Sequence, residues 1–359
     1  MMAIQFSRGC PFNCEFCDII NLYGRKPRTK EPAQILAELQ RLYELGWQSS
    51  IFMVDDNFIG NQRNVKRLLR ELIPWMKARN YPFTFFTEAS VNLAEDPELL
   101  QLMAEAGFYG VFLGIETPDQ DSLQTTRKHQ NTRNPMAEAC RTINQAGLII
   151  YAGFIIGFDG ERSGAGERIQ SFVEDTQIPQ PMLGVLQALP NTALWNRLKQ
   201  EERLLEDIGI VSTGDQNTLM NFVPTRPVED IAREYVAAVW NIYEPSAYLK
   251  RCLNHCLQIS PNPDLQQHIY FPPAKTAKLL LRLLWCQGIQ STEIRRQFWQ
   301  QLWIIARQKP QLLTLYLGLC AAGEHCWEYR VLARERITEQ LGYDPLVAVS
   351  PPQPLTVFV

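Results

Sequence analysis

Three cysteines within eight residues, Cys10, Cys14 and Cys17, set the strongest limit on what this chain can fold into. They follow the run Ala3-Ile4-Gln5-Phe6-Ser7-Arg8-Gly9, which alternates in the manner of a short strand. The spacing therefore predicts a strand that ends in one tight, thiol-bearing loop. A Cys-x3-Cys-x2-Cys loop can hold three irons of a cubane 4Fe–4S cluster and leaves the fourth iron without a protein ligand. An open coordination position turns a bound metal into a reagent. A zinc knuckle is the competing reading, but structural zinc wants four ligands, commonly in two Cys-x2–4-Cys pairs. The next cysteine is Cys140 and the nearest histidine is His129, so the loop offers no local fourth ligand.

At 359 residues the chain is long enough for one large domain and a smaller one. A net charge of −3 gives no basic excess, which argues against a nucleic-acid partner. Nine cysteines without a secretory signal fit a reducing interior better than a disulfide frame, and the expectation is a cytoplasmic protein. No run of apolar residues reaches the roughly 20 of a membrane span.

Residues 1–215 alternate strand-like and helix-like segments, the pattern of a parallel α/β sheet. Helices are predicted over 31–45, 61–79, 97–106, 132–146, 166–176 and 192–201. Strands fall at 50–54, 83–88, 109–116, 148–157 and 182–188. Six such units, with right-handed connections, predict a partial (β/α)6 TIM-like barrel. From 225 to 345 the text is helical and punctuated by prolines, with helices at 231–243, 274–287, 292–308, 312–322 and 326–341. This predicts a C-terminal all-α domain followed by a docked or frayed tail, 346–359.

The cysteine loop, with Phe16 just before its last cysteine, resembles the signature of the radical SAM superfamily, whose fold is the same partial barrel. The resemblance implies a 4Fe–4S cluster on Cys10, Cys14 and Cys17 and S-adenosyl-L-methionine (SAM) chelated to the open iron. One electron then cleaves the sulfonium to a 5′-deoxyadenosyl radical that abstracts hydrogen. It also implies an electron donor such as flavodoxin or ferredoxin.

Reactive groups of such barrels sit at the carboxyl ends of the strands. The resemblance assigns Phe16 to packing on adenine. Asp55 or Asp56 would accept the SAM ammonium, although N-capping by Asp56 or Asn57 serves equally well. Glu88 and Ser90 follow the third strand. Glu116 ends the fourth, in Gly114-Ile115-Glu116-Thr117, and could accept ribose hydroxyls. Arg127 or Lys128 could pair with the SAM carboxylate, or simply be solvated. Gly153 and Gly157 permit close backbone approach to a ligand, with Ile155 against adenine.

Asp55-Asp56-Asn57-Phe58-Ile59-Gly60-Asn61, with residues 5–30, is similar to the cobalamin-dependent class, and most to members with a helical C-terminal region such as hopanoid C-methyltransferases. That class carries a cobalamin-binding domain ahead of the first barrel strand, where this sequence starts. The resemblance thus implies that cobalamin, if used, comes from another chain or a missing domain. The expected activity is methylation or hydrogen abstraction at an unactivated carbon of a small-molecule or lipid substrate. A non-catalytic or truncated cluster-binding subunit working with a cobalamin-binding partner is the alternative, and an electron-transfer protein a third reading. Cys252, His255 and Cys256, with Cys286, Cys320, His325 and Cys326, have spacing compatible with a second metal, while buried thiols are the plainer explanation.

Overall fold

The computed structural model describes residues 1–132, 134–205, 217–260 and 273–347. The chain opens with β1 (Met2–Ile4), then β2 (Ser7–Arg8), α1 (Ile19–Tyr23) and β3 (Arg28–Thr29). Alternation follows: α2 (Pro32–Glu44), β4 (Ser50–Met53), α3 (Gln62–Ala78), β5 (Thr84–Ala89), α4 (Pro97–Ala106) and β6 (Phe108–Glu116). It continues with α5 (Gln120–Thr125), α6 (Met136–Gln145), β7 (Ile149–Ile156), α7 (Ala165–Thr176), β8 (Gln180–Val185) and α8 (Ala193–Gln200).

Six strands form one parallel sheet in the order β1-β4-β5-β6-β7-β8, while β2 and β3 pair antiparallel as a small ribbon. Sequential parallel order with helical crossovers is the partial (β/α)6 TIM-like barrel that the sequence predicts. Period-two alternation gives each strand a buried row against the helices and a half-exposed row on the other face. Phe85 and Phe108 of the buried row pack together with Phe58 from the turn after β4, the Phe108 ring 5.2 Å from each of the other two. On the other face, Phe86 of β5 reaches Tyr151 of β7 at 5.1 Å, across the intervening β6. Strands two apart are roughly 10 Å apart on a flat sheet, so this contact marks the face as concave.

Several of the described helices begin where side chains satisfy their free amides. Glu31 and Gln34 form a capping box on α2, and Asp96 accepts from Leu99 N at 3.0 Å ahead of α4. One predicted boundary moves. The helix expected from Thr132 starts at Met136, because Asn131 is drawn back to the carbonyls of Gly114 and Ile115 at 3.0 Å.

The helical region comprises α9 (Val228–Ile242), α10 (Pro245–Gln258), α11 (Pro273–Trp285), a π-helical turn at Cys286–Gln290, α12 (Arg295–Gln308) and α13 (Leu313–Leu341). The segments expected at 312–322 and 326–341 are one helix of 29 residues. Gly323, between the two expected segments, lies where the Tyr248 ring packs: a β-carbon there would stand 2.8 Å from it.

The region packs on the barrel through α7 and β8. Glu234 accepts the amides of Gly164 and Ala165, each at 2.9 Å, and Tyr243 donates to the Pro181 carbonyl. Arg251, fully buried, pairs with Glu174 at 2.8 Å. Cys252, Cys256, Cys320 and Cys326 are buried in the helical core. Burial pushes Cys252 well up and the Cys256 thiol up to about 12, as expected of core thiols. No described helix is long and apolar enough to cross a membrane. The predicted limit at residue 215 and the tail beyond 347 lie outside the described residues.

Candidate cluster and cofactor site

The cysteine loop leaves the carboxyl end of β1 and is tied down from every side. Gly9 has φ +97°, and a β-carbon there would stand 2.8 Å from the Gly24 carbonyl, so a side chain would force the loop open. Cys10 N donates to that same carbonyl at 3.3 Å, and Cys17 N to Cys14 O at 3.3 Å. Glu15 N donates to Thr126 O at 3.0 Å, and Glu15 O accepts from Leu194 N at 2.9 Å at the start of α8. The Glu15 carboxylate is held by Arg197 at 2.6 and 3.4 Å, and Arg197 binds Asp159 at 2.8 Å. This clamp joins residues 182 positions apart, and nothing in the local sequence announces it.

Asp55 and Asp56 complete the anchorage. Asp55 accepts from Phe6 N at 3.2 Å and from Ser7 N, and Asp56 accepts from Gly9 N at 3.1 Å. Asp55 is therefore neither a free ammonium acceptor nor a helix cap. It is 1% exposed, with both oxygens spent on the backbone that leads into the cysteines. Asp56 likewise does not cap, and Asn57 makes no capping bond. Burial, against those hydrogen bonds, pushes Asp55 up to about 6.

Behind the thiols stand amide donors. Asn57 Nδ2 lies 3.8 Å from Cys10 Sγ and donates to Ser90 Oγ at 3.1 Å, and Gln130 Nε2 lies 3.6 Å from Cys14 Sγ. Ser90 thus belongs to the support of Cys10. Gln130 and the clamp residue Arg197 escape sequence reading; Asn57 is read only as a cap.

Burial raises the Cys10 thiol above its ordinary range and pushes Cys17 up to about 12, and Cys14 is close enough to bear on both. Such thiols ionise readily only when a metal takes the charge. No three His, Cys, Asp or Glu side chains among the described residues converge on a point that one metal ion could occupy. Three thiols that each meet a different iron corner need not share such a point. The grouped thiols, with N–H donors facing two of them, fit a cubane cluster.

Above the concave face, Glu116 (φ +64°) forms a buried ion pair with Lys128. Burial opposes the charge on Lys128, yet Glu116 and the neighbouring thiols hold its pKa above the ordinary value. Its ammonium also stands 5.7 Å from the Phe16 ring, which packs on Phe158 at 5.8 Å. Arg127, by contrast, is exposed and has no charged partner among the described residues. Lys128 is the cation that the turn after α5 directs inward. Glu88 lies on the concave face without a hydrogen-bond partner among the described residues. Burial, then the charges of Asp56 and Asp55, push it up to about 7.

Two glycines serve packing. The Phe112 ring fills the space over Gly153, while Gly157, whose N–H donates to Glu161 at 2.8 Å, is covered by Met220 and Ile231. Gly157 is thus closed to a ligand. Ile155 remains half-buried beside Gly153 on the concave face.

A family model described as "Radical SAM superfamily" matches residues 4–169, and one described as "Domain of unknown function (DUF4070)" matches residues 192–339. An "Uncharacterized methyltransferase sll1242" of Synechocystis is 55% identical over 342 residues, covering 95% of this chain and 63% of that protein. The hopanoid C-2 methylase of Rhodopseudomonas palustris is 38% identical over 307 residues, covering 83% of this chain and 56% of that protein. The chain thus spans about three fifths of the length of these relatives. Among solved structures, the radical S-adenosylmethionine methyltransferase TsrM of Kitasatospora setae, with cobalamin and a [4Fe-4S] cluster bound, superposes with a TM-score of 0.56. That match has 16% identity and covers 93% of this chain and 61% of that one.

Proposed function

We propose that this chain, whose residues 4–169 match the radical SAM family model, is a member of that superfamily and methylates an unactivated carbon using SAM. The observation that supports this most is the single anchored loop with three grouped thiols, two of them faced by amide donors. Cys10, Cys14 and Cys17 would hold a 4Fe–4S cluster. Bound there, such a cluster supplies the electron that splits SAM into methionine and a 5′-deoxyadenosyl radical.

The chain's own residues supply position and charge. Phe16 would offer its ring to the adenine, with Ile155 as the facing wall. Glu116 and Lys128, already ion-paired, would exchange that contact for the ribose hydroxyls and carboxylate of SAM. Asp56 or Glu88 would receive the ammonium, and Asp55 keeps the loop in register. Asn57 and Gln130 would donate to thiolate sulfur. The helical region packs against α7 and β8.

The methyl donor we infer to be cobalamin, held by a further domain or a separate chain, because the relatives include a hopanoid methylase and a cobalamin-bound methyltransferase fold. A low-potential electron carrier such as flavodoxin or ferredoxin would supply the electron in a cytoplasmic setting. The concave face, lined by Phe52, Phe86, Tyr109 and Tyr151, favours an apolar substrate, a lipid included.

Anaerobic reconstitution followed by SAM and dithionite tests the reading. The expected product is 5′-deoxyadenosine, formed by the wild type and not by Cys14→Ala. A chain that takes up zinc alone overturns it.

A further inference from the structure

The helices α11 and α12, joined through the π-helical turn, carry a face that the reaction does not use. Leu281, Trp285 and Ile289 stand 68%, 58% and 53% exposed, one row continued by the π-helical turn, where a spacing of four residues nearly preserves the face. Trp303, 62% exposed, and Trp299, 44% exposed, project from α12. The two rows are contiguous: Trp299 Nε1 donates to Gly288 O at 2.9 Å, and Arg295 reaches Ile289 O at 3.5 Å. Large apolar side chains clustered on a surface mark a binding face.

The charge of this segment is opposite to that of the chain. Residues 273–309 contain seven Lys and Arg and one acid, Glu293, in a protein of net charge −3. Lys278, Arg282, Arg295, Arg296 and Arg307 are exposed and take part in no ion pair among the described residues. Arg307 sits 5.2 Å from the Trp303 ring, a cation over an exposed indole.

Tryptophan and aliphatic side chains flanked by unpaired cations on helices too short to span a bilayer are the chemistry of an interfacial lipid contact. We propose that the α11–α12 face docks on an anionic membrane surface. The indoles enter the headgroup layer, and the cations meet lipid phosphates. This assignment is independent of the reaction at the cysteine loop.

Sedimentation of the full chain with vesicles tests it. Binding is expected to vesicles of mixed phosphatidylcholine and phosphatidylglycerol, to fall with added salt, and to be weak with phosphatidylcholine alone. Arg282→Glu with Arg296→Glu should weaken binding at least twentyfold, since each cation near such a surface is worth about fivefold. Trp285→Ser with Trp303→Ser should weaken it by a similar factor, and circular dichroism should show the fold kept in both double variants. Equal binding to both vesicle types, or undiminished binding by either pair, overturns the proposal. So does a dimer in analytical ultracentrifugation that Trp285→Ser with Trp303→Ser dissolves, because the face would then be filled by a second copy.

Discussion

The Glu116 carboxylate and the Lys128 ammonium meet directly over the backbone of Gly114, where a β-carbon would stand 2.5 Å from Glu116 Oε1 and 2.8 Å from Lys128 Nζ. Breaking a buried pair costs more than the pair contributes, because one charge is left alone in a dry site, at about 3–5 kcal/mol. Lys128→Met should therefore lower the melting temperature markedly. The double variant Lys128→Met with Glu116→Gln should regain most of that loss. Calorimetric titration with SAM should show weakened binding in both, since the proposed partners of ribose and carboxylate are gone. Gly114→Ala, which pushes on side-chain ends rather than on backbone, should cost little stability and still weaken SAM.

The three thiols should differ from the other six in what their loss does. Cys10→Ala, Cys14→Ala and Cys17→Ala should each reduce iron after reconstitution from about four per chain to a small fraction. Cys252→Ala should leave iron content unchanged and instead lower stability, as its thiol is fully buried in the helical core. Because burial holds Cys10 and Cys17 protonated in the metal-free protein, cluster assembly releases protons and should proceed further at alkaline pH. Iron analysis across a pH series checks this.

Amide donors near sulfur stabilise the more negative, reduced state of an iron–sulfur centre. Asn57 Nδ2 at 3.8 Å from Cys10 Sγ and Gln130 Nε2 at 3.6 Å from Cys14 Sγ are placed to do so. Asn57→Leu and Gln130→Leu should leave iron content near wild type and lower the reduction potential by an amount on the order of tens of millivolts. Redox titration followed by electron paramagnetic resonance measures it. An unchanged potential in both variants would mean that the amides serve packing alone.

The barrel was legible because its signal is local and periodic. Val65, Leu68, Leu69 and Leu72 stripe one helix, and Ser50–Met53 runs apolar into Asp55, so units could be counted without knowing what they touch. The cysteine loop was legible for the same reason, with three ligands inside one turn of chain. What escaped depends on distance along the chain. Asp55 reads as a strand-end acid open to a ligand, and only the fold brings Phe6 N and Ser7 N onto it, 49 and 48 positions away. Lys128 and Arg127 are equivalent cations in sequence, and the turn after α5 decides which of them enters the site. The helix through Gly323 reads as two segments because the residue packed against that glycine, Tyr248, is remote.

Glu161 joins the barrel to the helical region, and its protonation should be visible in stability. Its side chain is fully buried, its Oε2 accepts from Gly157 N at 2.8 Å and faces Arg226 at 3.5 Å, and its Oε1 has no partner. Burial pushes its pKa from 4.5 up to about 7; the Gly157 amide, Arg226 and Arg168 oppose that shift, and Glu234 adds to it. A carboxyl with a raised folded pKa prefers the proton in the native state. The stability it contributes is therefore complete below the unfolded pKa and is lost as pH rises through about 7. The full span is on the order of 3 kcal/mol. Glu161→Gln keeps a neutral, similarly shaped group at every pH. The variant should melt close to wild type near about pH 5 and above it near about pH 8, because only the wild type then carries a desolvated charge. A constant difference in melting temperature across that range would show that Arg226 neutralises the carboxylate fully, and that the joint is an ordinary ion pair.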